Sequence, residues 1–294
     1  MELFSVSKIE PLVLDAQPPL SEAHTMSPYV WQTPGGYSVM VRAVSTAADA
    51  AGAVSAIYYG ESTDGLRFHM DKRPVIAPGK NPSEQDGCED PTVVHIDDRY
   101  YVYYTGWNWA EKRGELMLAD GPDVHHLRQR GIRLPSTDRV SNPKEATLVQ
   151  TRDGSWRLFF EFAADGKSKI GVGASRTVDG PWMVEPPLMD ARPDKWDNWH
   201  LSTGPILTTD NHRPIMFYNG ATHDAVWRIG WIMFDAQYLR VLDRCDGPIF
   251  TPVLDIAGET DIAFAASVIQ ENGNASLYYS VGDQEMRRAT LHRR

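Results

Sequence analysis

The sequence predicts an all-β fold, a five-bladed β-propeller. Three observations predict it: a strand motif that recurs five times, Gly/Asp/Asn turn chemistry between paired strands, and almost no sustained 3.6-residue periodicity. The motif is Ser27-Pro28-Tyr29-Val30, Asp90-Pro91-Thr92-Val93, Glu145-Ala146-Thr147-Leu148, Gly204-Pro205-Ile206-Leu207 and Ala265-Ala266-Ser267-Val268. Its first residues are separated by 63, 55, 59 and 61 positions, so five units of about 59 residues fill the chain.

Each unit continues in the same order. A turn follows the first strand: Pro34-Gly35-Gly36, Asp97-Asp98, Asp153-Gly154, Asp210-Asn211 and Asn272-Gly273. Then comes a second strand, Val39-Met40-Val41-Arg42, Val102-Tyr103-Tyr104-Thr105, Phe159-Phe160-Glu161, Met216-Phe217-Tyr218-Asn219 and Leu277-Tyr278-Tyr279-Ser280. From the first residue of a unit to the polar residue ending its second strand is 15 positions, and 16 in the third unit. Third strands follow at Ala56–Tyr59, Lys169–Val172 and Trp227–Gly230. The units set blades at roughly 27–78, 86–135, 142–190, 200–252 and 259–292, with N-terminal closure, in one domain 1–294 without a linker. A β-sandwich is the competing architecture, but it does not generate five equivalent spacings. The segment Ala47–Val54 reads equally as a short helix or a loop.

Composition bounds the function classes. The chain has 294 residues, 42% hydrophobic and 23% charged, enough to bury roughly three-quarters of its unfolded surface without metals or disulfides. No run approaches the roughly 20 apolar residues of a membrane helix, and Met1–Ser5 lacks the features of a secretory signal. The balance of 29 basic to 39 acidic residues, net −10, argues against nucleic acids and anionic membranes as partners. Cys88 and Cys245 lie far apart, which suits a reduced, cytoplasmic chain. A homo-oligomer is compatible with all of this. The sequon Asn274-Ala275-Ser276 is read as chance.

The repeat turns sequence positions into places. In a propeller the first strands line the central channel, so Ser27, Asp90, Glu145, Gly204 and Ala265 converge near its mouth. The second-strand set is Arg42, Thr105, Glu161, Asn219 and Ser280, whose apolar neighbours would suit a plain core. Charged groups there are costly unless paired or functional. Asp90 and Glu145 hold the same place in adjacent blades. Two carboxyls at one mouth suit glycoside cleavage: one protonates the leaving oxygen, and the other activates water or attacks the sugar. The structural alternatives are that Asp90 caps a turn, that Glu145 pairs with Lys144, and that Glu161 pairs with Arg42. Glu89 is either a ligand for sugar hydroxyls or a turn acid.

Trp107 and Trp109, and Trp196 and Trp199, cluster in polar loops, which tilts them from blade anchors towards ligand contact. His200, His223 and Asp224 lack short metal-ligand spacing, and Gly171-Val172-Gly173-Ala174-Ser175 lacks the third glycine of a dinucleotide loop. No metal or cofactor is expected, and no Gly-x-Ser-x-Gly elbow or Walker loop occurs.

On these residues the sequence resembles glycoside hydrolase family 130, the β-mannoside phosphorylases and hydrolases on a five-bladed propeller. Gly87-Cys88-Glu89-Asp90-Pro91-Thr92 resembles the family's Gly-x-Glu-Asp-Pro-Arg segment, and Lys144-Glu145-Ala146-Thr147-Leu148 its Lys-Asn/Asp-Ala-x-Leu segment. Gly204–Thr208 with Phe217-Tyr218-Asn219-Gly220 is similar to its Gly-x-x-Pro and Tyr-His-Gly pair. Pro248-Ile249-Phe250-Thr251-Pro252, Glu259 and Tyr278–Asp283 resemble the final blade. Furanosidase-type five-bladed families share the Asp-Pro-Thr-Val strand.

The resemblance implies that Asp90 is the general acid, acting directly or through a substrate hydroxyl. It also implies a phosphate site built from cations, from which this chain departs. Thr92 replaces an Arg, Asn219 a His and, with one gap, Glu161 another Arg, while Lys144 keeps its charge. A carboxylate in place of a cation repels phosphate by several kcal/mol per pair at an effective dielectric of about 20. The expectation is therefore an inverting glycosidase acting with water on β-mannosides or related short oligosaccharides. Asp90 is the acid and Glu161 or Glu145 the base, with carboxyls roughly 6.5–9.5 Å apart. The expected substrate-binding residues are Arg42, Glu89, Thr105, Trp107, Lys144, His200, Asn219 and Asp283. The alternatives are a β-mannoside phosphorylase with an anion site on Lys144 and Arg42, an arabinan- or xylan-type hydrolase, and a non-catalytic sugar-binding propeller.

Overall fold

Every recurring motif becomes the innermost strand of an antiparallel sheet in the computed structural model, which describes residues 3–46, 52–208, 212–249, 251, 261–271 and 273–294. The chain opens with β1 (Phe4–Pro11) and β2 (Val13–Asp15). The first sheet holds β3 (His24–Thr33), β4 (Gly36–Val44), β5 (Ser55–Ser62) and β6 (Arg67–Met70). The second holds β7 (Gly87–Ile96), β8 (Arg99–Asn108), β9 (Arg113–Gly121) and β10 (Arg128–Leu134). A parallel pairing, Ser55 with Gly87, joins these two. The third holds β11 (Ser141–Gln150), β12 (Trp156–Ala164), β13 (Lys167–Ser175) and β14 (Met183–Glu185).

In the fourth sheet the inner strand is split into β15 (His200–Ser202) and β16 (Ile206–Leu207), followed by β17 (Ile215–Ala221), β18 (Trp227–Phe234) and β19 (Val241–Arg244). The fifth holds β20 (Ala263–Glu271), β21 (Asn274–Val281) and β22 (Glu285–Arg293), and β1 pairs antiparallel with β22 as its outer strand. The N-terminal strand thus completes the last sheet. A sandwich of two sheets does not arise from this pairing.

Burial explains the composition of each strand. Residues 102–106 of β8 are buried on both faces, as is nearly all of β9, because these sheets carry apolar layers on either side. Four apolar clusters fill the gaps between neighbouring sheets, for instance Tyr103, Leu116 and Phe160 between the second and third. The outer strands β10, β14 and β19 are mostly exposed, and charges such as Arg128 and Arg130 protect β10 from edge-to-edge pairing.

Hydrogen bonds between neighbouring sheets close the ring. Ser27 donates to Asp90 Oδ1 at 2.7 Å, Thr92 to the Ala146 carbonyl at 2.5 Å, and Thr147 to the Gly204 carbonyl at 3.0 Å. The Ala265 amide donates to Asn219 Oδ1 at 2.8 Å, and Ser267 donates to the Pro28 carbonyl at 2.8 Å. The chain of contacts runs through all five units and returns to the first.

Among the described residues, no helix is long and apolar enough to cross a membrane. Residues 47–51 of the ambiguous early segment, Asp210, Asn211 and Asn272 of two turns, and Phe250, Pro252 and Glu259 of the final-blade motifs lie outside the described residues.

Candidate active site

The five motif-initial residues meet. Ser27, Asp90, Glu145, Gly204 and Ala265 all line one narrow cavity of about 20 Å³, room for a single water. Backbone irregularity aims them there. Strand register slips between Met26 and Tyr29, Glu89 and Thr92, Lys144 and Thr147, and Ala265 and Ser267, a bulge at the same point of four blades. At three of these bulges Ser27, Asp90 and Glu145 take φ of +53°, +49° and +53°. A left-handed conformation is uncommon for serine and glutamate, and here it recurs at one repeat position around one cavity.

The fourth blade differs for a steric reason. A Cβ on Gly204 would lie 1.9 Å from the Phe217 carbonyl oxygen, so this position cannot carry a side chain.

Arg42 is the cation of the first two blades. Its guanidinium donates to Glu89 Oε1 at 2.7 Å and to Asp90 Oδ1 at 3.4 Å, while Ser55 donates to the same Glu89 oxygen at 2.8 Å. Burial lowers the Arg42 pKa, but the attraction of Asp90 and Glu89 outweighs it and the net shift is upward. Burial raises Glu89, against the pull of Arg42. In the third blade Glu161, 3% exposed, pairs with Lys144 Nζ at 3.3 Å and accepts from Ser168 Oγ at 2.7 Å. Glu161, then Glu145 and Asp90, raise the Lys144 pKa, so it stays charged.

Glu145 stands apart, because no hydrogen bond to its carboxyl occurs among the described residues. Burial first, then the charges of Asp90 and Glu161, push its carboxyl well above the ordinary range. Asp283, with φ +52°, is an exposed residue whose carboxyl is raised by partial loss of solvent and by Asp90.

Two pairings considered in the sequence do not form. Glu161 pairs with Lys144 and not with Arg42, and Lys144 pairs with Glu161 and not with Glu145. Lys144 faces Glu161 across the β11–β12 ladder, whereas Arg42 faces Met26 on its own sheet and reaches the next blade's Glu89 and Asp90.

Two expected binding residues are turned inward. Asn219 is fully buried, and its amide joins the Thr203 carbonyl at 2.9 Å to the Ala265 amide. Thr105 is 1% exposed, opposite Glu89, and its Oγ1 has no partner among the described residues. Both serve the wall behind the mouth rather than its surface.

Trp107 lies beside Glu89 across Gly87 and packs edge-on against Trp109 at 5.4 Å. Trp196 is a blade anchor, its ring 5.4 Å from Tyr218, above a buried cluster in which Asp197 bonds Arg192 and Arg244. The tilt towards ligand contact therefore does not hold for Trp196.

His200 reaches the carboxylate side through Ser168. The Ser168 amide donates to His200 Nδ1 at 3.0 Å, which puts the ring proton on Nε2, and burial lowers the imidazole pKa. Ser168 and Phe264 escaped the sequence reading, and Trp227 was read only as the start of a third strand. Equivalence between units offered a signal, since Lys167 opens β13 as Trp227 opens β18. Among the described residues no group of three or more His, Cys, Asp or Glu is arranged to hold a metal ion.

Residues 20–292 match a family model described as beta-1,4-mannooligosaccharide phosphorylase. A β-1,2-mannobiose phosphorylase of Thermoanaerobacter sp. (strain X514) is 26% identical over 248 residues, covering 82% of this chain and 78% of that protein. A 1,2-β-oligomannan phosphorylase of the same organism is 25% identical over 240 residues, covering 78% and 76%. The β-1,2-mannobiose phosphorylase of Listeria innocua, solved with β-1,2-mannobiose, superposes with a TM-score of 0.81 at 19% identity, over 99% of this chain and 96% of that one. A structure described as coming from a mannoside phosphorylase family that contains glycoside hydrolases of β-1,2-mannosidic linkages in Candida mannan superposes at 0.79 and 19% identity, over 98% and 93%.

Proposed function

The chain belongs to glycoside hydrolase family 130, and from that premise we propose that it cleaves the β-mannosidic bond of a short oligosaccharide at the mouth of its channel. One observation carries the reading: Asp90 and Glu145, from adjacent blades, line a single cavity on left-handed backbone, with Glu161 held beside them by Lys144. The relatives' names support a mannoside over an arabinan or xylan substrate.

In the proposed reaction a carboxyl proton passes to the glycosidic oxygen as its bond to the anomeric carbon breaks, and an acceptor attacks that carbon from the opposite face. Asp90 is the proposed acid. Glu145, which keeps its proton to higher pH than an ordinary glutamate, fits a donor better than a base. Glu161, an acceptor for Ser168 and Lys144, fits the base that takes a proton from attacking water. Arg42, Glu89 and Asp283 then hold sugar hydroxyls.

The acceptor divides the two readings. Both curated relatives are phosphorylases, so the comparisons favour inorganic phosphate over water. The local chemistry favours water. The two cations, Arg42 and Lys144, are each engaged by carboxylates, while Thr92 and Asn219 are neutral and donate to the Ala146 and Thr203 carbonyls. An incoming phosphate would meet Glu89, Asp90, Glu161 and Asp283, and the two cations beside them already serve carboxylates. Hydrolysis is the reading the geometry supports best, and phosphorolysis is the second.

Incubation with β-1,2-mannobiose, with and without phosphate, separates them. Equal release of mannose under both conditions supports hydrolysis. Formation of mannose 1-phosphate only when phosphate is present would replace it with phosphorolysis. We also take the enzyme to be cytoplasmic, in keeping with two buried free thiols, Cys88 and Cys245.

A further inference from the structure

The cavity that Asp90 and Glu145 line is continued on the side away from the mouth. A second space of about 370 Å³ lies further along the same inner strands, and Thr92, Thr147 and Ala266 line both. It extends to Gln32 and Gln270, each five positions beyond the motif-initial residue of its blade. At the rise of a strand that is about 16 Å towards the opposite face. Gln270 is exposed, so the space reaches solvent there. The channel has two entrances, and the acidic cluster sits between them.

The collar where the two spaces meet is chemically simple. Thr92 and Thr147 donate their hydroxyl protons to the Ala146 and Gly204 carbonyls, so each oxygen meets a water as an acceptor. A water held that way keeps a second proton to pass on and a lone pair to receive one. Ala266 is the extra residue at the bulge of β20, and its methyl leaves room that a larger side chain would fill. Among the described residues no charged group lines the lower space, whose polar groups include Thr92, Thr147, Thr208, Ser267, Gln32 and Gln270. Hydroxyls and amides of this kind suit water and give an ion nothing to pair with. At the upper end Glu145 faces Asp90 and Glu161 as like charges and Lys144 and Arg42 as opposite ones. Burial and the two acids hold its carboxyl above the ordinary range, so it keeps a proton where an ordinary glutamate has lost it.

We propose that the axis of the propeller is a proton passage, through which Glu145 restores the proton of Asp90 from the face opposite the sugar. The proposal rests on the hydrolytic reading. Each turnover leaves Asp90 as a carboxylate and puts a proton of the attacking water on Glu161. Glu145 then passes its proton to Asp90 through the one water their cavity can hold. Solvent protonates Glu145 in turn, by way of waters at Thr147 and Thr92, and Glu161 releases its proton at the mouth. One proton enters and one leaves, so the cycle closes without the mouth having to empty first.

The test blocks the passage. Ala266→Leu fills the collar, Gln270→Trp covers the lower opening from an exposed strand position, and Ala266→Ser keeps the collar open. Rapid-quench cleavage of β-1,2-mannobiose follows the first and later turnovers separately. Expected in the two blocked variants is a first turnover at the unsubstituted rate, then a steady state slower by about tenfold or more. The unsubstituted chain and Ala266→Ser show no such break. A structural disturbance slows both phases together; that result, or an unslowed steady state in the blocked variants, overturns the passage. Gln270→Trp keeps the test valid if Ala266→Leu does not fold. A crystal structure of the unsubstituted chain gives a readout that needs no turnover: ordered waters joining Gln270 to Glu145 support the passage, and a dry collar overturns it. If waters join them but the disaccharide is cleaved only with phosphate, or not at all, the hydrolytic reading fails and the water path stands. Cleavage by water with a dry collar gives the reverse.

Discussion

Blades one to three and blades four and five present the same repeat position to the channel and put different chemistry there. In the first group Ser27, Asp90 and Glu145 sit at left-handed bulges, backed by Arg42, Lys144 and Glu161. In the second, Gly204 and Ala265 offer no functional side chain, and Asn219 closes the wall with backbone hydrogen bonds. Aromatic rings border this half instead. A repeated fold supplies equivalent places, and the difference between halves shows that the chemistry is assigned place by place. Under the proposed function, the ionic half is where the glycosidic bond breaks.

The sharpest way to break this division is Asp90→Asn. If the ionic half is catalytic, kcat falls by about 10³-fold or more while binding of β-1,2-mannobiose changes little. Comparable losses in binding and turnover would move Asp90 to a binding role. Glu161→Gln should follow, with kcat lower by about 10²-fold or more, again with binding retained. A Glu161→Gln variant that keeps turnover with water would remove the base from the account.

Gly204→Ala tests why the fourth blade is silent. Its new Cβ collides with the Phe217 carbonyl, so unfolding free energy should drop by about 1–3 kcal/mol in denaturant titration. An unchanged midpoint would mean that the inner strand of this blade can shift, and that its lack of a side chain is not imposed by space.

The smallest expected effect is on stability and depends on pH. Glu145 has a folded pKa raised above its unfolded value, so the folded state holds its proton more tightly. The stability this proton brings is complete below the unfolded pKa of about 4.3 and is lost as pH rises through the folded value. Glu145→Gln should therefore melt higher than the unsubstituted chain at pH 8 and level with it at pH 4. Equal melting shifts at both pH values would show that Glu145 is not electrostatically crowded.

The ring was legible because strand spacing depends on apolar patterning that every blade repeats. The gathering of Ser27, Asp90, Glu145, Gly204 and Ala265 at one cavity follows directly from that spacing. The bulges were not legible, since no glycine marks φ > 0 at residues 27, 90 or 145. Pairing was misjudged for a geometric reason: equivalent residues such as Arg42 and Glu161 lie at corresponding points of different blades, not in contact. Their real partners come from the facing strand, as with Lys144, or from the next blade, as with Glu89 and Asp90. The aromatic border of blades four and five was only partly visible, because Trp199 and His200 adjoin in sequence while Trp227 and Phe264 join them through folding.

The most direct measurement is a crystal structure of Asp90→Asn soaked with β-1,2-mannobiose. The account predicts the glycosidic oxygen within hydrogen-bonding distance of residue 90 and the reacting carbon facing Glu161. A disaccharide bound elsewhere, such as the outer cleft lined by Tyr59, His69 and His125, with the central mouth empty, would contradict it.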